Sequence, residues 1–268
     1  MKHRQTDMAA AVMRELDALR SLPRPVYGQV LGLPNHAIGQ RHRHPWAQLS
    51  YAARGVVEVV VESGRYVAPP LHAVWVPAGV PHAVRSAEGT EIRSLYIAPA
   101  ALADAGGACR VLTVAPLLRE LIRTFGEFPV EYDEQGEQGR LVAVLLDQLA
   151  SAPKADLMVP WPRDARLRRL CRELQAHPER GTTLQEYAAR LGVSDKTLSR
   201  LFLQQTGLSF RAWRQRLRVL AALPLLERGD RVTDVAIACG YDSMSAFVAA
   251  FRGFAGLTPG EFFKARAR

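Results

Sequence analysis

Between residues 26 and 97 the apolar positions come in short runs separated by turn-forming residues. The runs 26–33, 47–52, 56–62, 71–76 and 91–97 are rich in Val, Tyr, Ile and Trp. Gly55, Ser63-Gly64, Pro69-Pro70 and Ala78-Gly79-Val80-Pro81 break them. Short strands at this spacing predict an antiparallel sandwich or barrel. The period then changes. Leu117, Leu118, Leu121, Ile122 and Phe125 fall at helical spacing, and so do Leu141, Val142, Leu145, Leu146 and Leu149. Two amphipathic helices follow from this, over 116–125 and 140–149, each with one apolar stripe that either covers the barrel or pairs two subunits. The stretch 151–162 contains Pro153, Pro160 and Pro162. Proline lacks a backbone donor and resists helix, so a linker is expected there. Nearly everything beyond it reads as helix.

Apolar residues make up 48% of the 268, enough for a packed core in one large domain or two ordinary ones. No apolar run approaches the ~18 residues that span a bilayer, so no membrane partner is expected. The first 20 residues lack the continuous apolar block of a secretory signal, and the three cysteines (Cys109, Cys171, Cys239) are odd in number and far apart. A disulfide framework is not expected, and the reducing cytoplasm is the expected location. Charge sharpens the division. Residues 1–159 hold 16 basic and 16 acidic side chains, whereas residues 160–268 hold 19 basic and 10 acidic. All of the net +9 therefore sits in the helical part, as expected of a polyanion-binding module attached to a neutral one.

That basic part contains an internal repeat. Ala188 matches Ala236 and Gly192 matches Gly240 at an offset of 48; after one inserted residue, Leu198 matches Phe247, Phe202 matches Phe251 and Gly207 matches Gly256. Each copy is a short helix, a glycine turn, a polar cap (Ser194 in the first, Asp242 or Ser243 in the second) and another helix, the sequence form of a helix-turn-helix. In the first copy Leu198, Leu201 and Phe202 form the buried stripe, while Lys196, Ser199 and Arg200, with Thr197 beside them, face outward toward a major groove. Arg200 can donate a bidentate pair to guanine. In the second copy Met244, Ser245 and Ala249 occupy the corresponding face without charge, and Arg252 lies closer to a phosphate. Sequence readout is thus expected to rest mainly on the first copy. A long helix over 210–226, carrying Arg211, Arg214 and Arg218, joins the two, and Pro224 is expected to kink or end it.

The residues Val232, Ile237-Ala238, Gly240-Tyr241, Ser243, Ser245, Phe247, Phe251, Gly256, Thr258-Pro259 and Phe262 resemble the signature of AraC/XylS-type transcription regulators over about 100 residues, roughly 166–263. The resemblance implies two helix-turn-helix units meeting successive major-groove segments of double-stranded DNA. Many members carry Arg where this chain has Ala249. The N-terminal half resembles a cupin. His42-Arg43-His44, Gln48 and Gly55 match the first cupin motif, with Gln48 in place of the usual Glu. Pro77-Ala78-Gly79-Val80-Pro81-His82 matches the second, with Ser86 where Asn is common. His-X-His followed by Trp46-Ala47-Gln48-Leu49, with Ala73-Val74-Trp75-Val76-Pro77, is similar to a subgroup of these regulators associated with neighbouring efflux-transporter genes.

On a strand His42 and His44 share a face, Gln48 has the same parity, and His82 arrives from a neighbouring strand after a Pro-Gly turn. Three imidazoles and one amide oxygen form a candidate site for a divalent transition metal, Zn, Ni, Co or Fe. The competing reading keeps the histidines as hydrogen-bonding pocket residues. Trp46, Tyr51, Trp75 and Tyr96 read as core or cavity lining. The expected fold is α+β: a cupin-like sensor barrel with an N-terminal arm (1–112), amphipathic helices (113–150), a Pro-containing linker (151–163) and an all-α DNA-binding domain (164–268). Its helix-turn-helix units are expected at about 182–203 and 230–253. The expected function is a sequence-specific transcription regulator, a homodimer, whose barrel senses a small molecule or a metal. The alternative is a metal-dependent cupin enzyme with a basic appendage. That alternative needs a substrate base, and the residues provide no separate constellation for one, so no enzyme activity is expected. A third reading makes the barrel a dimerisation platform only.

Overall fold

A computed structural model describes residues 19–28, 39–87, 89–102 and 107–264. The chain divides into two units, Met1–Val61 with Tyr66–Leu157, and Glu62–Arg65 with Met158–Arg268. The first is β-rich and the second helical, in keeping with the α+β expectation.

In the first unit a six-stranded sheet runs in the order β1 (Val26–Tyr27), β7 (Glu91–Ile97), β2 (Ala47–Arg54), β5 (His72–Val76), β8 (Arg110–Thr113) and β9 (Lys154–Ala155). Every neighbouring pair is antiparallel. β2 is central, and its first six residues are all buried, so both of its faces are covered. In a second sheet β3 (Val57–Val61) pairs antiparallel with β6 (Ala83–Ser86), and β4 (Gly64–Ala68) follows β3 in the chain. Among the described residues this unit also has two α-helices, α1 (Pro116–Phe125) and α2 (Glu137–Ser151). Leu118, Ile122 and Phe125 of α1 and Val142, Leu145 and Leu149 of α2 share one core with Leu49, Trp75 and Leu95 of the sheet. The stripes therefore cover the sheet, and burying each such side chain stabilises the unit by about 1.5–3 kcal/mol. Leu117, expected in the stripe, instead points outward at 53% exposure, because it lies one position off the i, i+4, i+7 line of Leu118, Ile122 and Phe125.

Several expectations require correction. β4, β6 and β8 were not among the predicted strands, being short and opened by Gly64, Ala83 and Arg110 instead of an apolar run. The predicted linker 151–163 contains the boundary between the two units, after Leu157, and also carries strand structure. It holds β9, which pairs with β8 through Val111↔Ala155 and Leu112↔Lys154, and β10 (Met158–Pro160). Its prolines fit because edge strands and strand ends do not need every N–H. Of the strand expected over 26–33, Val26–Tyr27 is formed; residues 29–38, like residues 1–18 of the N-terminal arm, lie outside the described residues.

Among the described residues the second unit strings seven helices after β10: α3 (Ala165–Ala176), α4 (Leu184–Leu191), α5 (Asp195–Thr206), α6 (Phe210–Glu227), α7 (Val232–Ala238), α8 (Met244–Ala255) and α9 (Pro259–Lys264). The long α6 is the spine. Trp213 is fully buried between Phe202 and the chain at Pro160, whose carbonyl accepts from its indole N–H at 2.7 Å. Pro224 is accommodated in the last turn of α6, close to where the helix ends.

Candidate functional site

Chemistry gathers at one place in each unit. In the first, His42 and His82 form an isolated antiparallel bridge, each backbone N–H donating to the other's carbonyl at 2.9 Å. The Gly79 N–H donates to the His44 carbonyl at 2.8 Å, and Gly79 has φ +73°, which closes the turn over this segment. β2 then sets Gln48 opposite Val76 of β5 and Tyr96 of β7. The ligand-capable atoms of His42, His44 and His82 lie within 4.8 Å of one another. His44, Gln48 and His82 are buried, His42 is half-buried, and Arg41 and Arg43 face outward. All four predicted ligands thus come together, though not by strand alternation. His42 and His44 precede β2, and the bridge and the glycine turn bring them to His82.

The proton inventory of the cluster is determined by its surroundings. Each imidazole Nδ1 faces a backbone carbonyl: Gln40 at 3.0 Å for His42, Trp46 at 2.8 Å for His44 and Val80 at 2.8 Å for His82. A carbonyl only accepts, so each Nδ1 carries a proton. Burial pushes His44 below its ordinary range and His82 down to about 3, so both rings are neutral, with a lone pair on Nε2. Those two Nε2 atoms lie 3.0 and 2.9 Å from Gln48 Oε1, while Gln48 Nε2 lies 3.1 Å from Ser50 Oγ and 3.5 Å from Ser94 Oγ. With Oε1 toward the rings, an acceptor meets two lone pairs. Turned end for end, the amide NH2 donates to both imidazoles and the amide oxygen accepts from the two hydroxyls. Trp46 stacks on His44 with centroids 5.3 Å apart, and Tyr96 meets it edge-on. Tyr51 and Trp75 belong to the main core. Ser50 and Ser94, which face each other across β2 and β7, were not picked out from the sequence; their signal is a register position that only the strand pairing reveals.

Chemically, the cluster offers three imidazole nitrogens and one neutral amide. Holding the second ring N–H on a backbone carbonyl is how metal-ligating histidines are commonly oriented, and all three rings are held so.

In the second unit the repeat is duplicated down to its hydrogen bonds. Gly192 and Gly240 have φ +67° and +78°. The next N–H donates back across each turn, Val193 to Ala188 O at 3.1 Å and Tyr241 to Ala236 O at 2.9 Å. Ser194 and Ser243 accept from the N–H groups of Thr197 and Ala246, capping α5 and α8. Leu198 with Phe202, and Phe247 with Phe251, face inward. Lys196, Thr197, Ser199 and Arg200 on α5 are exposed, as are Met244, Ser245, Ala249 and Arg252 on α8. Thr197 Oγ1 lies 2.9 Å from Ser194 Oγ, so it also serves the cap. The charge excess is less freely available than the count implied. Glu173 is paired with Arg180 and Arg190, and these guanidinium groups hold its carboxyl below the usual range.

The chain matches the description "AraC-like ligand binding domain" over residues 25–191 and "Helix-turn-helix domain" over residues 187–265. It belongs to the AraC family of transcription regulators. Among its relatives, the HTH-type transcriptional regulator NimR of Escherichia coli K12 is 35% identical over 221 residues, 82% of this chain and 81% of NimR. The HTH-type transcriptional regulator RipA of Corynebacterium diphtheriae is 35% identical over 125 residues, 47% of this chain and 36% of RipA. A solved DNA-binding transcriptional dual regulator from Escherichia coli K-12 is 29% identical, with a TM-score of 0.34, covering 38% of this chain and 91% of that one. Family membership gives this AraC-type regulator a cupin-like ligand-binding domain and a helix-turn-helix DNA-binding domain. Among the described residues no helix is long and apolar enough to cross a membrane.

Proposed function

We propose that the protein acts in the cytoplasm as a homodimeric regulator. In this reading α5 enters the major groove with Lys196, Thr197, Ser199 and Arg200, and α8 enters an adjacent segment with Met244, Ser245, Ala249 and Arg252. Arg200 reads guanine, and Arg252 sits on the backbone. The observation that carries this reading is the duplicated turn, which gives α5 and α8 the same capped start and the same buried side. The exposed Leu117 and Val144 of α1 and α2 support pairing of two subunits through these helices. We assign His42, His44, Gln48 and His82 as the effector site, with a divalent transition metal, Zn, Ni, Co or Fe, as effector. Three Nδ1–H groups tied to carbonyls leave the Nε2 side of the cluster for coordination, which supports that choice. The target follows from the subgroup resemblance: the promoter of a neighbouring transporter gene. Effector binding changes DNA affinity to the extent that it favours one arrangement of the protein over another.

Footprinting and gel-shift titration of the upstream intergenic region, with chelator and with zinc, test the reading together. Log affinity should fall steeply with log salt as phosphates are neutralised. Protection that does not respond to zinc, nickel, cobalt or iron leaves the DNA-binding assignment standing and removes the metal. Absence of protection in every condition removes the target.

A further inference from the structure

The two recognition helices share an interior and differ completely outside. Superposing the repeat places Ala249 where α5 has Arg200, Ser245 where it has Lys196, and Ala246 where it has Thr197. Phe247 and Phe251 fix the inner side of α8, so Ser245, Ala249 and Arg252, at i, i+4 and i+7, lie opposite them. Met244 begins the helix at 47% exposure. A helix-turn-helix reads bases with the N-terminal residues of its second helix. On α8 those residues are a thioether, one hydroxyl and methyl groups, and the Ser243 hydroxyl is already committed to the cap. None can make the bidentate pair by which Arg selects guanine or Gln and Asn select adenine.

The charge beside this apolar tip complements a phosphate backbone. A cleft of about 440 Å³ between α6 and α8 is lined by Arg211, Arg214, Gln215 and Arg218 on one side and by Ala246, Ala249 and Ala250 on the other. Arg214 and Arg218 donate to backbone carbonyls of Thr182, Pro178 and Arg180, which orients them without neutralising them. No carboxylate is among the described residues lining the cleft. Arg252 lines the hollow on the opposite flank of Ala249. The small side chains of α8 leave room for close approach of a duplex between these cations.

We propose that α8 is an apolar reader that selects thymine by its C5 methyl group, the apolar mark the major groove presents. Arg211 and Arg252 hold the flanking phosphates. The operator would then be chemically asymmetric, with a guanine-containing segment under α5 and a thymine-bearing, A·T-rich segment under α8. This rests on the reading that both helices enter the groove.

The test uses the full-length protein. Sites are selected from a random duplex pool, the two segments are assigned by footprinting, and each thymine is then replaced by uracil, which removes only the methyl group. Uracil under α8 should weaken binding about fourfold per methyl contacted, and uracil under α5 should have little effect. Ala249→Arg, an exposed substitution, should move the preference under α8 from thymine toward guanine at unchanged thermal stability. Unchanged affinity on uracil substitution under α8, a guanine preference there in the unaltered protein, or selection of an α5 segment alone each overturns the inference while DNA binding stands. A pool with no enriched sequence overturns both.

Discussion

Replacing Gln48 by glutamate exchanges an NH2 for an oxygen and should invert the behaviour of the histidine cluster. In the metal-free protein we assign the amide with its NH2 toward the Nε2 lone pairs of His44 and His82, end for end from the placement that sets Oε1 3.0 and 2.9 Å from them. A carboxylate cannot donate. Two buried lone pairs lose their donors, at about 1 kcal/mol each, and a charge is introduced at a position only 1% exposed. Above neutral pH the metal-free Gln48→Glu variant should therefore be less stable by about 2–4 kcal/mol. As pH falls, one imidazole can take a proton at Nε2 and pair with the carboxylate, so the deficit should shrink. Zinc should reverse the ranking, since a carboxylate adds negative charge to the ligand set, and affinity should rise about tenfold, or about 1.4 kcal/mol. Thermal unfolding of chelator-treated and zinc-loaded protein across pH, with a competitive zinc titration, measures all three. A metal-free variant as stable as the parent above neutral pH would refute the assignment of the amide as donor. Equal zinc affinity in both proteins would refute its place among the ligands.

Three further outcomes are expected. Arg200→Ala should weaken the selected operator by about 1–3 kcal/mol while leaving random DNA little changed, as read by gel shift on both; equal losses would make Arg200 a phosphate contact. Gly240→Ala should lower the unfolding free energy of the helical unit, read from urea titration, by about 1–3 kcal/mol more than Gly192→Ala. Both positions have positive φ, but a Cβ at 240 would lie 2.7 Å from Glu179 Cα and from Arg218 Nη2, whereas one at 192 meets nothing within 4 Å. Metal-free protein should lose stability on acidification. Burial pushes His72 from 6.5 down to about 4, so between those values the unfolded chain binds the extra proton, and stability falls as pH drops by about 1.4 kcal/mol per unit for this group. His72→Gln should flatten that part of the acid-unfolding curve, and superimposable curves would exclude the group.

The helical half was legible because its signals are local. Glycine at a left-handed turn, serine at a cap and phenylalanine at i, i+4 are read from neighbours in the chain, and each takes the expected role at Gly192, Ser194, Phe247 and Phe251. The β-rich half depended on pairing between distant segments. β8 finds its place between His72–Val76 and β9, both distant in the chain, and the prolines near 153 and 160 hid two short strands. The histidine cluster was recoverable from its spacing. The orientation of its protons was not, because it depends on the carbonyls of Gln40, Trp46 and Val80, and every residue has a carbonyl.

The serine-capped turns have a practical corollary. Since what folds each wedge points inward, the outward residues, through which DNA contact is proposed, are open to redesign. Transplanting the Lys196 and Arg200 pattern onto the second wedge would rewrite the promoter address while the packing stayed as it is, so that a library varying only those few surface positions becomes a route to regulators with chosen targets.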